Sequence, residues 1–352
     1  MSFAKTAFIL TLVTIVTLVT IDLYETLRNI KRITAVTTPK ESVISFDKKI
    51  PSSLSQIPDH QTRDGSEDNE AKTGNSNELP LEKNQPQNIP QPAATSLTSL
   101  KTPYKAITEQ TNEPAKTAIP SKELYGYVSS RVVNFFCDTG ESQVVIATGT
   151  IIHPKGYVLT NAHVAENIKK QKCLLRKGSP ARPFAYGELV FFPKNYGAAA
   201  TTDENAAKDL SIWKITEPSG AYQFPDTFEY MEIDFETQLK GGESLSSFSY
   251  AAELLSYDVA LRHLHLLFTR TTVTAFNDYF IESEESLSSQ KGSSGGILVD
   301  RFNGKLRGLI FGVTKEETIN DRSLISLTPQ AINTAISAET GMDLLDYLAT
   351  NP

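Results

Sequence analysis

The chain of 352 residues reads as an all-β folded domain behind an apolar N-terminal segment and a polar linker. Three observations carry this reading. From Ser121 onward, about eleven short apolar or alternating runs recur within about 230 residues, each broken by Gly, Pro, Asn or Asp. That density of short strands indicates a sandwich or a barrel. Residues 34–120 are rich in Pro, Ser, Thr, Asn and Gln, hold ten of the 18 prolines and are poor in aromatics. Residues 6–21, TAFILTLVTIVTLVTI, carry no charge at all.

In chain order, the first element is residues 1–33. A bilayer span needs about 20 apolar residues. The uncharged run reaches that length if it is extended to residues 3–24, with Asp22 near the interface. The following IDLYETLRNIKR offers no small-residue cleavage site, so the segment reads as an uncleaved membrane anchor rather than a cleaved signal. Lys5 precedes it and Arg28, Lys31 and Arg32 follow, a pattern that leans toward a cytoplasmic C-terminal bulk. Residues 34–120 cannot bury enough apolar surface to offset their ordering entropy, and read as a disordered linker.

The folded domain is residues 121–352. Its expected strands are RVVNFF, QVVIATGTII, YVLTNAHV, KCLLRK, FAYGELVFF, LSIWKI, ESLSSFSY, HLLFTRTTVTAF, YFIES, GGILVD and KLRGLIFGV. Helical signals are few: AHVAENIKK, TPQAINTAIS with its Thr-Pro start, and MDLLDYLA. No repeat of 20–50 residues is visible.

Charge narrows the function. Residues 1–120 hold 13 basic and 13 acidic residues, and residues 121–352 hold 21 and 28, so the net −7 lies wholly on the folded part. Phosphate binding needs a basic face, which argues against a nucleic-acid partner. The two cysteines, Cys137 and Cys173, give no CxxC or Cys/His spacing for zinc. No metal or cofactor is expected.

Chemistry then depends on KGSSGGILVD, residues 291–300. A serine hydroxyl attacks only with a base in reach, and the base needs an orienting carboxylate. Of five histidines, His60 lies in the linker, His263 and His265 in a strand-like run, and His153 in the turn HPKGY. His163 remains, at the mouth of a strand in GYVLTNAHVAEN. Taken alone, such a histidine is more often structural. Asp209, in KDLSIWKI, directly precedes an apolar strand, where Asp is usually a turn residue. In G-x-S-G-G the glycines allow backbone conformations closed to other residues and a close approach by substrate. The N–H groups of Gly292 and Ser294 could then bind a developing oxyanion.

His163, Asp209 and Ser294 follow in that order along an all-β chain. With TGTIIHPKGYVLTNAHV, DLSIWKI, GSSGGILV and GKLRGLIFGV, the sequence resembles the chymotrypsin-fold serine peptidases, most of all their bacterial HtrA (Deg) branch. The resemblance spans about residues 125–340. It implies two six-stranded antiparallel β-barrels, at about 125–217 and 238–338, a short C-terminal helix and an active site between the barrels. His163 would be general base, Asp209 its orienting partner and Ser294 the nucleophile, with Gly292 and Ser294 as the oxyanion hole. The implied activity is that of a membrane-anchored serine endopeptidase acting on peptides or unfolded proteins.

Departures from the family sharpen the expectation. Digestive members carry Asp before the nucleophile to receive a newly cut N-terminus; Ser293 cannot do so, so activation of that kind is not expected. Ile297 stands where many members have Pro, with little effect expected. A PDZ module of the HtrA kind is not expected after the second barrel. Counting back without gaps, Ser288 falls at the base of the primary specificity pocket and Val313 on its wall, which argues against an Arg/Lys preference. Glu282, Glu284 and Glu285 read as a solvated strand end or, more sharply, as a negative rim favouring basic residues beside the cleaved bond. In the resembled fold the strands of Cys137 and Cys173 are neighbours, which leaves a disulfide or two buried thiols open. A disulfide would imply an extracytoplasmic domain, periplasmic or at the cell surface, against the charge pattern around the anchor. The competing readings are a catalytically silent binding module on the same fold and an all-β surface adhesion module.

Overall fold

The structure, a computed structural model, describes residues 44–47 and 117–350, apart from 140–142, 167, 169–171, 198–201 and 315–320. Two barrels make up the folded part. In the first, β2 (Val132–Asp138), β3 (Gln143–His153), β4 (Tyr157–Thr160), β5 (Cys173–Lys177), β6 (Arg182–Phe191) and β7 (Ser211–Pro218) run in the order β3-β2-β5-β6-β7-β4, and β4 closes back on β3. In the second, β8 (Ser244–Ser249), β9 (Leu267–Phe276), β10 (Phe280–Glu285), β11 (Ile297–Asp300), β12 (Leu306–Val313) and β13 (Ser323–Leu327) form a closed ring ordered β10-β13-β12-β11-β8-β9. Every named pairing is antiparallel.

Strands such as β3 and β12 read as nearly unbroken apolar runs because both of their faces are covered. Alternate side chains of β2 diverge by the two-residue period of a strand. Val133, Phe135 and Cys137 pack inside the first barrel with Val158, Leu175 and Trp213. Val132 turns outward to a seam shared with Phe248, Tyr250 and Leu264 of the second half. The second barrel closes over Leu245, Val273, Ile281, Leu298, Ile310 and Leu324. A further seam joins Tyr157, Leu159 and Ile212 to Leu309, Phe311 and Leu327.

Six helices are described: α1 (Ser121–Ser129), α2 (Ala162–Glu166), α3 (Thr202–Ala207), α4 (Tyr257–Arg262), α5 (Pro329–Thr340) and α6 (Leu344–Thr350). α5 starts as its sequence predicts. Thr328 accepts a hydrogen bond from the Ala331 N–H, Pro329 opens the first turn, and Gly341 ends the helix at φ 73°. Its buried face, Ile332 and Ile336, lies on the second seam together with Leu344 and Leu348 of α6.

The strand reading missed β13, α1, α3 and α4. It also placed no strand within residues 34–120, where Ile44–Asp47 forms β1, paired antiparallel to the start of β3 with Ile44 opposite Ile146. The remainder of that stretch up to residue 116 lies outside the described residues.

The expected membrane anchor is corrected. Among the described residues no helix is long and apolar enough to cross a membrane. The longest, α5, has 12 residues, or about 18 Å of rise against a hydrocarbon core of about 30 Å. Residues 3–24 themselves lie outside the described residues. The membrane as a partner, the membrane-anchored form of the activity and the extracytoplasmic location are withdrawn with it.

Candidate active site

β4 delivers the first group. Its residues Tyr157–Thr160 pair with β7, Thr160 opposite Ser211, so the end of one strand lies beside the start of the other. The chain turns after Thr160 into α2, which carries His163, while Asp209 stands two residues before β7. Residues 46 apart in sequence thereby meet: His163 Nδ1 lies 2.7 Å from Asp209 Oδ2, and the His163 backbone N–H donates to Asp209 Oδ1 at 2.9 Å. The pair is 1% and 0% exposed, so water competes little for these bonds. Asn161 Nδ2 donates to the Asp209 carbonyl, and Ser211 Oγ to the Asn161 carbonyl, both at 2.8 Å. The carboxylate therefore holds the ring through one nitrogen and leaves Nε2 for another partner.

Tyr196, between β6 and α3, was not anticipated from the sequence. Its phenol donates to the Asp209 side chain; burial first, and then the charges of Asp209 and Glu166, push its pKa up. PKNYG, which follows the expected strand FAYGELVFF, carries nothing that signals a contact with a residue 13 positions on.

The Ser294 loop is fastened to the first barrel through Thr148 of β3. The Thr148 N–H donates to the Ser294 carbonyl at 2.8 Å, and the Thr148 hydroxyl donates to the Gly292 carbonyl at 2.9 Å. That hydroxyl also accepts from the Tyr250 N–H, and the Thr148 carbonyl accepts from Thr160 Oγ1, three residues before His163. The approach is close: a Cβ at Gly295, whose φ is +80°, would lie 1.9 Å from the Thr148 carbonyl oxygen and 2.2 Å from Thr160 Oγ1. Only glycine fits there.

Within the loop, Gly295 N–H donates to the Ile310 carbonyl and Gly296 N–H to that of Ser293. Among the described residues, the N–H groups of Gly292 and Ser294 have no acceptor. The Lys291 carbonyl is held by the Ala252 N–H at 2.9 Å. The 291–292 peptide is trans, so the Gly292 N–H faces away from Ala252. Ser293 bonds Ser249 through their hydroxyls at 2.9 Å.

The structure thus brings His163 and Asp209 into contact and anchors Ser294 to the strand that Thr160 touches. A complete Ser-His-Asp triad, expected from the sequence, is not established by these contacts, because the bond between His163 and Ser294 is not among them. Ser288 is fully buried, with its hydroxyl 3.0 Å from that of Ser247. Val313 ends β12, packed against the core of the second barrel. Glu282, Glu284 and Glu285 line a small cavity with Thr274, Thr314, Asp321 and Ser323, so they share one acidic surface. Cys137 and Cys173 form a disulfide between β2 and β5. His153 accepts from the Lys155 N–H, and His265 Nδ1 meets Ser179 Oγ at 3.0 Å; His60 lies outside the described residues. Among the described residues no cluster of His, Cys, Asp and Glu could hold a metal ion.

Residues 147–309 match the family model described as the trypsin-like peptidase domain. The folded part, two six-stranded antiparallel barrels, is similar to that domain over those residues. Among solved structures, the serine endoprotease from Yersinia pestis matches with 18% identity and a TM-score of 0.43, over 63% of this chain and 66% of that chain. The chain therefore spans just under two thirds of that structure's length. No curated protein matches the chain.

Proposed function

We propose that the domain is a serine endopeptidase of the HtrA-like type, with His163, Asp209 and Ser294 as its catalytic residues. The observation that carries the reading is the buried His163–Asp209 pair, formed at the end of β4 beside a Gly-x-Ser-Gly-Gly loop that Thr148 fastens to the same barrel. An imidazole held by a carboxylate at Nδ1 offers Nε2 as a base.

In the proposed reaction Ser294 Oγ attacks the peptide carbonyl carbon and its proton passes to His163 Nε2. Asp209 stabilises the imidazolium. The carbonyl oxygen gains negative charge and is met by the N–H groups of Gly292 and Ser294. The C–N bond breaks as His163 returns the proton to the leaving amine, which leaves an acyl-Ser294. Water, deprotonated by His163, then attacks the ester carbon and Ser294 recovers its proton. No metal or redox step enters. The uncharged Ser288 and the apolar Val313 favour a small or apolar residue before the cleaved bond.

Labelling with a fluorophosphonate probe tests the proposal. The wild-type chain is expected to label, Ser294→Ala not at all, and His163→Ala at a rate lower by at least about a thousandfold. Equal labelling of Ser294→Ala would refute it. A folded wild-type chain that neither labels nor cleaves any member of a peptide library would leave a binding module instead.

A further inference from the structure

An oxyanion site works only if its N–H groups are aimed before the substrate arrives. A glycine-rich loop does not hold itself in place, since each glycine widens its conformational choice. Ser293 contributes one neutral hydroxyl contact, to Ser249. The residue that fixes the direction of the Gly292 N–H is Lys291, because the 291–292 peptide plane carries both the Lys291 carbonyl and that N–H.

Both backbone polar groups of Lys291 are occupied by one short turn. The carbonyl accepts from the Ala252 N–H at 2.9 Å. The Lys291 N–H donates to Glu253 Oε2 at 3.0 Å. Glu253 is in turn clamped by Arg322 at the entry to β13, whose Nη1 lies 3.0 Å from Oε2 and 3.3 Å from Oε1. The ion pair is partly buried, at 18% exposure for Glu253 and 21% for Arg322. Three separate segments therefore meet at Lys291: the turn after β8, the nucleophile loop and the start of β13. A hydrogen bond to a carboxylate is shorter and stronger than one to a neutral acceptor, and a charge partner on the far side keeps the carboxylate in place.

We infer that Glu253, held by Arg322, is a positioning residue that fixes the Lys291 peptide and so aims the Gly292 N–H at the developing oxyanion. The inference rests on the proposed peptidase function. Glu253 does not touch substrate. It acts through the loop, so its loss removes transition-state stabilisation rather than substrate binding. Losing one oxyanion donor outright lowers kcat by about a hundred- to a thousandfold; a loop that samples the wrong peptide orientation part of the time loses a share of that.

The test compares Glu253→Ala, Glu253→Gln and Arg322→Ala in the full chain. For Glu253→Ala, kcat on a peptide substrate is expected to fall by about ten- to a hundredfold with KM unchanged within about twofold. Glu253→Gln keeps an oxygen acceptor for the Lys291 N–H and is expected to recover most of the loss. In Arg322→Ala the acceptor remains but its clamp is gone, and an intermediate kcat is expected. Amide hydrogen exchange at Lys291 gives a second readout that needs no activity. Protection there should be present in the wild type, retained in Glu253→Gln and lost in Glu253→Ala. Should Glu253→Ala fail to fold, the Arg322→Ala kinetics and exchange still decide. An unchanged kcat in Glu253→Ala, a rise in KM alone, or Lys291 exchange as fast in the wild type as in the alanine variant would each overturn the inference. A wild type that shows Lys291 protection but neither labels nor cleaves would instead sink the peptidase reading.

Discussion

Replacing Thr148 by valine probes the joint between the two barrels at a single hydroxyl. The substitution is nearly isosteric, so it opens no cavity, and the residue is fully buried. What disappears is a hydroxyl that donates to the Gly292 carbonyl at 2.9 Å and accepts from the Tyr250 N–H at 2.8 Å. Both partners are themselves buried. Each buried group left unpaired costs about 1–3 kcal/mol, and the two share one site, so local relaxation will recover part of the sum. A loss of about 3 kcal/mol is expected. Thr148→Ser keeps the hydroxyl and removes one methyl group, which costs about 1 kcal/mol. Urea unfolding of the three proteins, with equal slopes, measures the difference directly. Because the same hydroxyl holds the Gly292 carbonyl, the valine variant should also label more slowly with a fluorophosphonate under conditions where it is fully folded. A valine variant within about 0.5 kcal/mol of wild type, or a serine variant less stable than the valine one, would refute the role given to this hydroxyl.

Three further outcomes are expected. Gly295→Ala should destabilise by more than about 3 kcal/mol, because its Cβ meets a backbone oxygen that cannot yield, whereas Gly242→Ala, also at positive φ but with nothing within 4 Å, should cost only about 1 kcal/mol; melting curves distinguish them. Tyr196→Phe removes one bond to the Asp209 carboxylate and should lower kcat about tenfold while leaving KM in place, read from steady-state kinetics on the best library peptide. For Asp234, burial alone would raise the carboxyl, but hydrogen bonds from Thr237, the Arg307 guanidinium and the Glu236 N–H outweigh it and hold the pKa below its ordinary value. A depressed carboxylate contributes stability that is full above about pH 4 and is lost as pH falls through the folded value. Asp234→Asn should therefore flatten that limb of the stability–pH curve and leave Arg307 short of a partner at neutral pH.

How much of this could be read from the chain follows from what each residue does. Runs such as QVVIATGTII and KLRGLIFGV were legible because their strands are covered on both faces, one by a barrel interior and one by a seam. SLISL, which is β13, escaped because five residues running straight into Thr-Pro look like the approach to a helix. α1 and α4 were hidden because their buried faces rest on only a few residues each: Leu124 and Val128 in one, Ala260 in the other. At the site, His163, Asp209 and Gly-x-Ser-Gly-Gly were visible as residue types with known chemistry. The supports were not. Thr148 is an ordinary strand threonine until the second barrel docks against it, and Glu253 is an ordinary turn acid until Lys291 and Arg322 arrive from 38 and 69 residues away. Local sequence records propensity and patterning, whereas these bonds exist only after long-range closure.

The Cys137–Cys173 bond has a topological consequence. It closes a covalent ring that contains β3, β4 and α2, so His163 and Thr148 both lie on a loop whose ends are tied. A domain with the proposed peptidase function would be exposed to its own activity. A single cut anywhere between residues 138 and 172 would open a loop without releasing a fragment, and His163 would stay tethered to the rest of the domain. On a denaturing gel such a nick would be silent until a thiol was added, when the chain would resolve into two bands. The ring makes the histidine-bearing segment the part of this molecule that can be broken once without being lost.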